Sequence, residues 1–340
     1  MGSPNLQLLM GQQAAGGDLY DFTSAYFTVS RALADSFSTD AHRYGPNITQ
    51  VRSWLSGTSN GGGGHTWANE YVDMPLQGYQ RWTVPKDGTY RIRCKGASAG
   101  LTDQNWRGRG AICEGEFPLT AGEQLILVAG QGVPDYSGDH CNGGGGASWA
   151  CRGSSISTAI PLVVGAGAGS DTSDGQAKVD GNTTFGSIFN SQEGGFTGKQ
   201  TEPVSSAPDP SPGYGGAGGG GDKPASGGWL TDGVSTSPSN GRAFRTDLVG
   251  GVQSNATAGN GGFGGGSGGH DENGSAGGGF TGAVGTDDSA ITGHGSSAVN
   301  TQYSSGGTAC SLAPSTAVYQ ASDYTSQSQF HGWVYVQLLS

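Results

Sequence analysis

The chain has 340 residues, of which 67 are glycine, while charged residues make up 13% and apolar residues 33%. Ordinary chains carry roughly 7% glycine and about twice this share of charge, so the composition departs from that of highly charged disordered sequences. A net charge of −11 with no Lys/Arg run leaves no basic stripe for phosphates, and no apolar run is long enough for a spanning helix; neither a nucleic-acid partner nor membrane insertion is expected.

The first residues, Met1-Gly2-Ser3-Pro4-Asn5-Leu6, have no basic region leading into an apolar core, so a signal peptide is not expected. Leu6 also stands where a myristoylation signal needs Ser or Thr. Residues 1–35 read as an N-terminal arm. Its stretch from Leu19 to Val29, with Tyr20, Phe22, Tyr26 and Phe27, is rich in aromatic and β-branched residues and predicts short strands or an extended segment. Too small to fold alone, it must dock on its own body, a sister subunit or a larger particle.

Next, Ile48, Val51, Trp54 and Leu55 recur at helical spacing, with Asn47 as N-cap and Gly57 as stop. From Gln80 to Cys94 the period changes to two. Trp82 and Val84 lead into Pro85-Lys86-Asp87-Gly88, and Tyr90, Ile92 and Cys94 alternate on the return, which predicts a hairpin. Further strands are expected at 110–117 and 124–129, joined by a turn at Ala121-Gly122-Glu123, then at Ile160–Val164 and at Gly332–Leu339. Short strands at such intervals predict a mainly β sandwich over residues 36–340. The last strand is too apolar to be left as an exposed edge, so it must pair with earlier strands across the glycine-rich stretch. That stretch, about 141–307, therefore reads as an insertion and not as a tail.

Its phrases include Gly213-Tyr214-Gly215-Gly216, Gly261-Gly262-Phe263-Gly264-Gly265-Gly266 and Gly277-Gly278-Gly279-Phe280. Such runs are either flexible loops or an ordered bundle of polyproline-II helices. Without Cβ atoms, neighbouring chains approach closely enough to exchange N–H···O bonds, provided the ends of every run are anchored.

These features resemble a known family. Asp35–Thr39, Tyr44–Val51 and Gly78–Ile92, followed by Gly143–Ser148, Pro161–Gly167 and Gly261–Gly282, are similar to the glycine-rich domain of the anaplastic lymphoma kinase and leukocyte tyrosine kinase receptors and its bacterial and phage relatives. The resemblance runs in consistent order over residues 35–340. It implies a tumour-necrosis-factor-like β-sandwich carrying glycine polyproline-II helices and used for extracellular recognition. With no kinase or membrane segment here, a phage particle protein fits that pattern better than a receptor, with the arm as attachment to other virion proteins.

Catalytic motifs carry little weight in such a background. Gly96-Ala97-Ser98-Ala99-Gly100 satisfies the G-x-S-x-G pattern, but so does Gly265–Gly269, and no helix pattern follows Ser98. Residues 194–200 fail the P-loop spacing. No His pair has metal-ligand spacing, and Asp171–Gly175 and Asp287-Asp288 read as polar turns. No catalytic residue, metal or cofactor is expected. The five cysteines show no metal spacing; Cys141 and Cys151 either pair with each other or stay as buried thiols.

Recognition residues should lie in loops joining the glycine runs: Tyr214, Trp229, Leu230, His270, Asp271 and Glu272. Phe263 and Phe280 read as packing, and Trp229 fits either role. The functional expectation is a virion tail-fibre or baseplate adhesin, made in the host cytoplasm and acting outside the cell. It would bind a host-surface protein or glycan, with a homo-oligomer possible. The alternative is a capsid decoration or scaffold subunit without a receptor.

Overall fold

A computed structural model describes residues 18–28, 41–57, 63–100, 108–133, 142–170, 185–187, 214–216, 223–237, 239–254, 259–269, 274–285, 295–312 and 331–340. Among the described residues twelve strands form two sheets. The first sheet contains β1 (Ser24–Thr28), β4 (Gly88–Lys95), β5 (Ala111–Leu119), β11 (Gly306–Leu312) and β12 (Trp333–Leu338), in the order β1-β12-β4-β5-β11. The second contains β2 (Val72–Leu76), β3 (Tyr79–Thr83), β6 (Gln124–Val128), β7 (Ser148–Arg152), β8 (Ile160–Gly165), β9 (Phe185–Ser187) and β10 (Ser297–Val299), in the order β2-β3-β6-β7-β8-β10-β9. All pairings are antiparallel except the one between β9 and β10. The chain is thus mainly β, a two-sheet sandwich.

The predicted helix is present as α1 (Ile48–Ser56). The Asn47 side chain accepts from Gln50 N–H at 3.0 Å, while Asn47 N–H donates to the Gln50 side chain at 2.9 Å. This reciprocal capping box starts the helix, and Gly57 ends it. Val51 and Leu55 are buried, with Ile48 and Trp54 packed alongside. A second, short helix, α2 (Ala68–Tyr71), leads into β2.

The hairpin expected over residues 80–94 does not form. β3 pairs with β2 and β6 in one sheet, and β4 pairs with β5 and β12 in the other. The Pro-Lys-Asp-Gly segment instead arches between the sheets. Trp82 and Tyr90 both turn into the space between them, with ring centroids 6.1 Å apart. Side-chain alternation was read correctly, but it specifies which face is buried and not which strand lies alongside. The 121–123 turn, with Gly122 at φ 80°, crosses between sheets in the same way.

Over residues 18–28 the arm docks on its own body as part of the sandwich, because β1 pairs with β12 along its whole length; residues 1–17 and 29–35 lie outside the described residues. Phe22 and Phe27 are buried among Trp82, Tyr90 and Trp67. Leu19 N–H donates to Pro85 O at 2.8 Å, and the Tyr20 hydroxyl donates to Thr83 O at 2.6 Å. Tyr26 alone of the five faces outward, at 45% exposure. Three of the five side chains singled out in the arm, Tyr20, Phe22 and Phe27, thus pack in or against the core of their own chain.

The C-terminal strand sits between β1 and β4, as its apolar pattern demanded. Because β12 follows the glycine-rich stretch and pairs with β1 and β4, which precede it, that stretch is internal to the sandwich. It is not one block, however, because β7, β8, β9 and β10 lie within 141–307.

Two apolar clusters explain the sequence pattern of the second sheet. Leu125 and Leu127 face the cluster between the sheets, with Trp82, Ile92, Phe117, Leu162, Val334 and Val336. Ile126 and Val128 face the other way, into a cluster with Tyr79, Trp149, Trp229, Phe244, Leu248, Phe263 and Phe280. β6 is therefore covered on both faces and reads as an unbroken apolar run. One covalent tie joins β5 to β11, a disulfide between Cys113 and Cys310, 197 residues apart. Cys94 and Cys151 are buried free thiols, so Cys151 is not bonded to Cys141, which lies outside the described residues.

Candidate recognition surface

The material covering the second sheet is built mostly from main chain. Strand ends run on into it: 96–100 after β4, 129–133 after β6, 142–147 before β7, 166–170 after β8 and 295–296 before β10. The glycine-rich segments 223–234, 239–251, 259–269 and 274–285 lie among these ends; 223–229, 259–269 and 274–285 are buried throughout, while 230–234 and 239–251 also reach the surface.

Their backbone hydrogen bonds have a regular spacing. Gly144 N–H donates to Ser267 O and Ala147 N–H to Gly264 O, both at 2.9 Å. Between them, Gly145 N–H turns to Ala168 O (2.8 Å) and Gly146 N–H to Gln131 O (3.1 Å). Gly167 and Ser170 donate in the same way to Gly278 and Ser275, and Ser226 and Trp229 to Ala283 and Phe280. Gly261 and Gly264 donate to Gly251 and Leu248, and Gly241 and Phe244 to Ala225 and Gly228. In each case one neighbour is met at every third residue. A strand would meet it at every second.

Close approach is what excludes side chains here. A Cβ on Gly145 would fall 2.7 Å from Ser98 O and closer still to Ala97 O, and one on Gly146 would collide with Phe263 O. Buried hydroxyls complete the accounting: Ser275 Oγ donates to Asn142 O at 2.7 Å, and Ala276 N–H donates to Ser267 Oγ at 2.7 Å. Ser98 is a buried member of this layer, with Ala97 and Ala99 on either side, and its carbonyl oxygen faces Gly145.

The layer is clamped to the sheet by aromatic rings. Trp229 stacks on Phe244 at 4.4 Å and lies 5.8 Å from Trp149. The Arg245 guanidinium sits 4.4 Å over the Trp229 ring and donates to Ala159 O at 3.1 Å. Tyr79 Oη donates to Phe244 O at 2.8 Å, and burial drives its phenol well above the usual range. Trp229, at 1% exposure, is therefore an anchor and not a recognition residue. Leu230 packs, partly buried, against the same cluster. Phe263 and Phe280 are buried in it, as their glycine flanks suggested.

Of the residues proposed for recognition, Tyr214 is exposed, at 45%. His270, Asp271 and Glu272 lie outside the described residues. The structure adds a neighbour to Tyr214 that sequence reasoning missed. Val234 is 63% exposed, and its N–H donates to Gly216 O at 2.8 Å. Behind this pair, Arg242 bridges Asp232 at 3.5 Å and Asp247 at 3.2 Å. Asp232 Oδ1 also accepts from Ala243 N–H and the Thr246 hydroxyl, each at 2.8 Å. The Asp232-Gly233 turn signal was the available clue to this edge. The result is a firmly held outer edge with one exposed aromatic, one exposed aliphatic and a charged cluster.

Among the described residues no group of His, Cys, Asp and Glu is arranged to hold a metal ion, and no helix is long and apolar enough to cross a membrane. No protein-family model matches the sequence, and no curated protein is significantly similar to it.

Proposed function

We propose that the chain is a phage virion adhesin, a tail-fibre or baseplate subunit. In this reading a bundle of polyproline-II glycine helices, mounted on a tumour-necrosis-factor-like sandwich, holds a recognition edge rigid. The observation that carries it is the three-residue spacing of the inter-segment hydrogen bonds, which is the period of a polyproline-II helix. Main chain packed this closely backs Tyr214, Val234 and the Asp232–Arg242–Asp247 group. Little ordering entropy is then lost when a partner binds. The resemblance of 35–340 to the glycine-rich receptor domains points the same way.

The test is adsorption. Purified full-length chain should bind host cells and block infection by the parent phage, and Tyr214→Ala together with Val234→Asp should remove both effects while the near-ultraviolet dichroism is kept. Tight binding to the particle without adsorption to cells would replace this reading with the scaffold role.

A further inference from the structure

The outward face of the first sheet carries a second arrangement, remote in composition from the glycine layer. On β12 the inward residues are Val334 and Val336, so Trp333, Tyr335 and Gln337 point outward. Register then sets a lateral row across four strands: Tyr26 opposite Tyr335, Tyr335 opposite Arg93, and Arg93 opposite Glu114. The next row is Ser24, Gln337, Arg91 and Glu116. At neighbouring-strand spacings of about 4.8 Å each row spans roughly 14 Å.

The chemistry of the face is specific. Tyr26 lies 4.5 Å from the Tyr335 ring and 5.5 Å from Trp333, forming an outward aromatic cluster in which Tyr26 is exposed and the other two are half-buried. Beside it Arg93 is paired with Glu114, and Arg91 with Glu116 at 2.7 Å. The two arginine side chains keep 37% and 43% exposure and the two glutamates 22% each, so donors and acceptors remain open to solvent. Although the chain carries −11 overall, these four charges cancel. A local zero disfavours a polyanion or a cationic surface. Planar donor–acceptor pairs beside ring faces suit a ligand with vicinal hydroxyls along one edge and C–H groups on its face, which the negative face of an aromatic ring attracts.

We infer that this face binds a neutral oligosaccharide, with Tyr26, Trp333 and Tyr335 stacking on sugar faces and the Arg91–Glu116 and Arg93–Glu114 pairs holding the hydroxyls. The inference deepens the adhesin reading and rests on it for its biological setting, but it concerns a different surface. It also gives Tyr26 a role that the buried arm residues beside it cannot share.

The experiment is saturation-transfer NMR on the purified full-length chain with cellohexaose, maltohexaose and chitohexaose as probes. At least one should give transfer to its ring protons. Trp333→Ala should weaken binding by about tenfold or more, as for a central aromatic anchor. Tyr26→Ala, an exposed position on an edge strand, guards against misfolding and should weaken binding several-fold. Tyr214→Ala should leave it unchanged. Absence of transfer from all three probes, or binding unaffected by both sheet variants, overturns the inference. So does a concentration-dependent dimer that Tyr26→Ala abolishes, since the face would then be a self-interface. Adsorption to cells without oligosaccharide binding would leave the adhesin reading standing and remove this one. Oligosaccharide binding without adsorption would do the reverse.

Discussion

The sandwich and the glycine layer are both buried, yet they are held by opposite means. Between the sheets, Trp82, Tyr90, Phe117 and Val336 exclude water with side-chain volume. In the layer, Gly144, Gly145 and Gly146 do so by having none, so that carbonyls and amides of neighbouring segments meet directly. The first is tolerant of shape and intolerant of lost volume. The second tolerates no added atom. Fixing so much glycine is entropically unfavourable. That explains why the layer is tied at strand ends and by the Trp229–Phe244–Arg245 clamp.

The sharpest test reverses the usual direction of substitution. Trp82→Ala should cost about 3–5 kcal/mol through the cavity it leaves. Gly145→Ala adds one methyl group and should cost a similar amount, above the roughly 1–3 kcal/mol of ordinary overpacking, because its Cβ meets carbonyl oxygens that cannot move aside. Urea unfolding of both variants measures this; a Gly145→Ala protein as stable as the parent would mean the layer is not packed as described. Hydrogen exchange sharpens the same point. The amides of Gly144, Gly145, Gly146 and Ala147 should be protected as well as those of Ile92 and Leu127.

Cys310→Ser should lower stability by about 2–5 kcal/mol, since the disulfide closes a long loop in the unfolded chain. Dithiothreitol should reproduce the effect in the parent and leave the variant unchanged.

A smaller effect separates the regions by pH. Lys95, at the end of β4, is buried, its ammonium donates to His331 O at 3.1 Å, and burial pulls its pKa down to about 8. Between pH 8 and 10 the unfolded chain keeps this proton while the folded chain loses it. Stability should therefore rise with pH in that window, by on the order of 2–3 kcal/mol. Above pH 10 the sign reverses. Burial pushes Tyr90 up to about 12 and Tyr79 well upward, so the folded chain keeps protons that the unfolded chain gives up. Denaturant titrations across this range check both slopes, and Lys95→Met should flatten only the first. The least costly change is Asn47→Ala, which removes the capping box for about 1 kcal/mol.

How much of this was legible followed the range of the interactions. Helix α1 was legible with both caps because Asn47, Gln50 and Gly57 act within four residues of their partners. The strands were read from alternation, which depends on local chain geometry alone. Their neighbours were not, since a Pro-Lys-Asp-Gly turn serves an arch between sheets as well as a hairpin. Trp229 was undecidable because its contacts come from Trp149 and Tyr79's partner Phe244, on other segments. On the outer edge of the layer, the exposure of Tyr214 was legible from its isolation among glycines. Val234 was missed because nothing in its own neighbourhood marks a valine as exposed. The Cys113–Cys310 pairing had no local signal at all.

That bond has a topological result. The glycine phrases from Gly143 to Gly307 all lie between its two cysteines, and residues 113 to 310 form one closed ring through sulfur. A single protease nick anywhere around the ring opens the peptide backbone but releases no fragment. A chain cut once in this region therefore stays in one covalent piece until a reductant lets the parts separate.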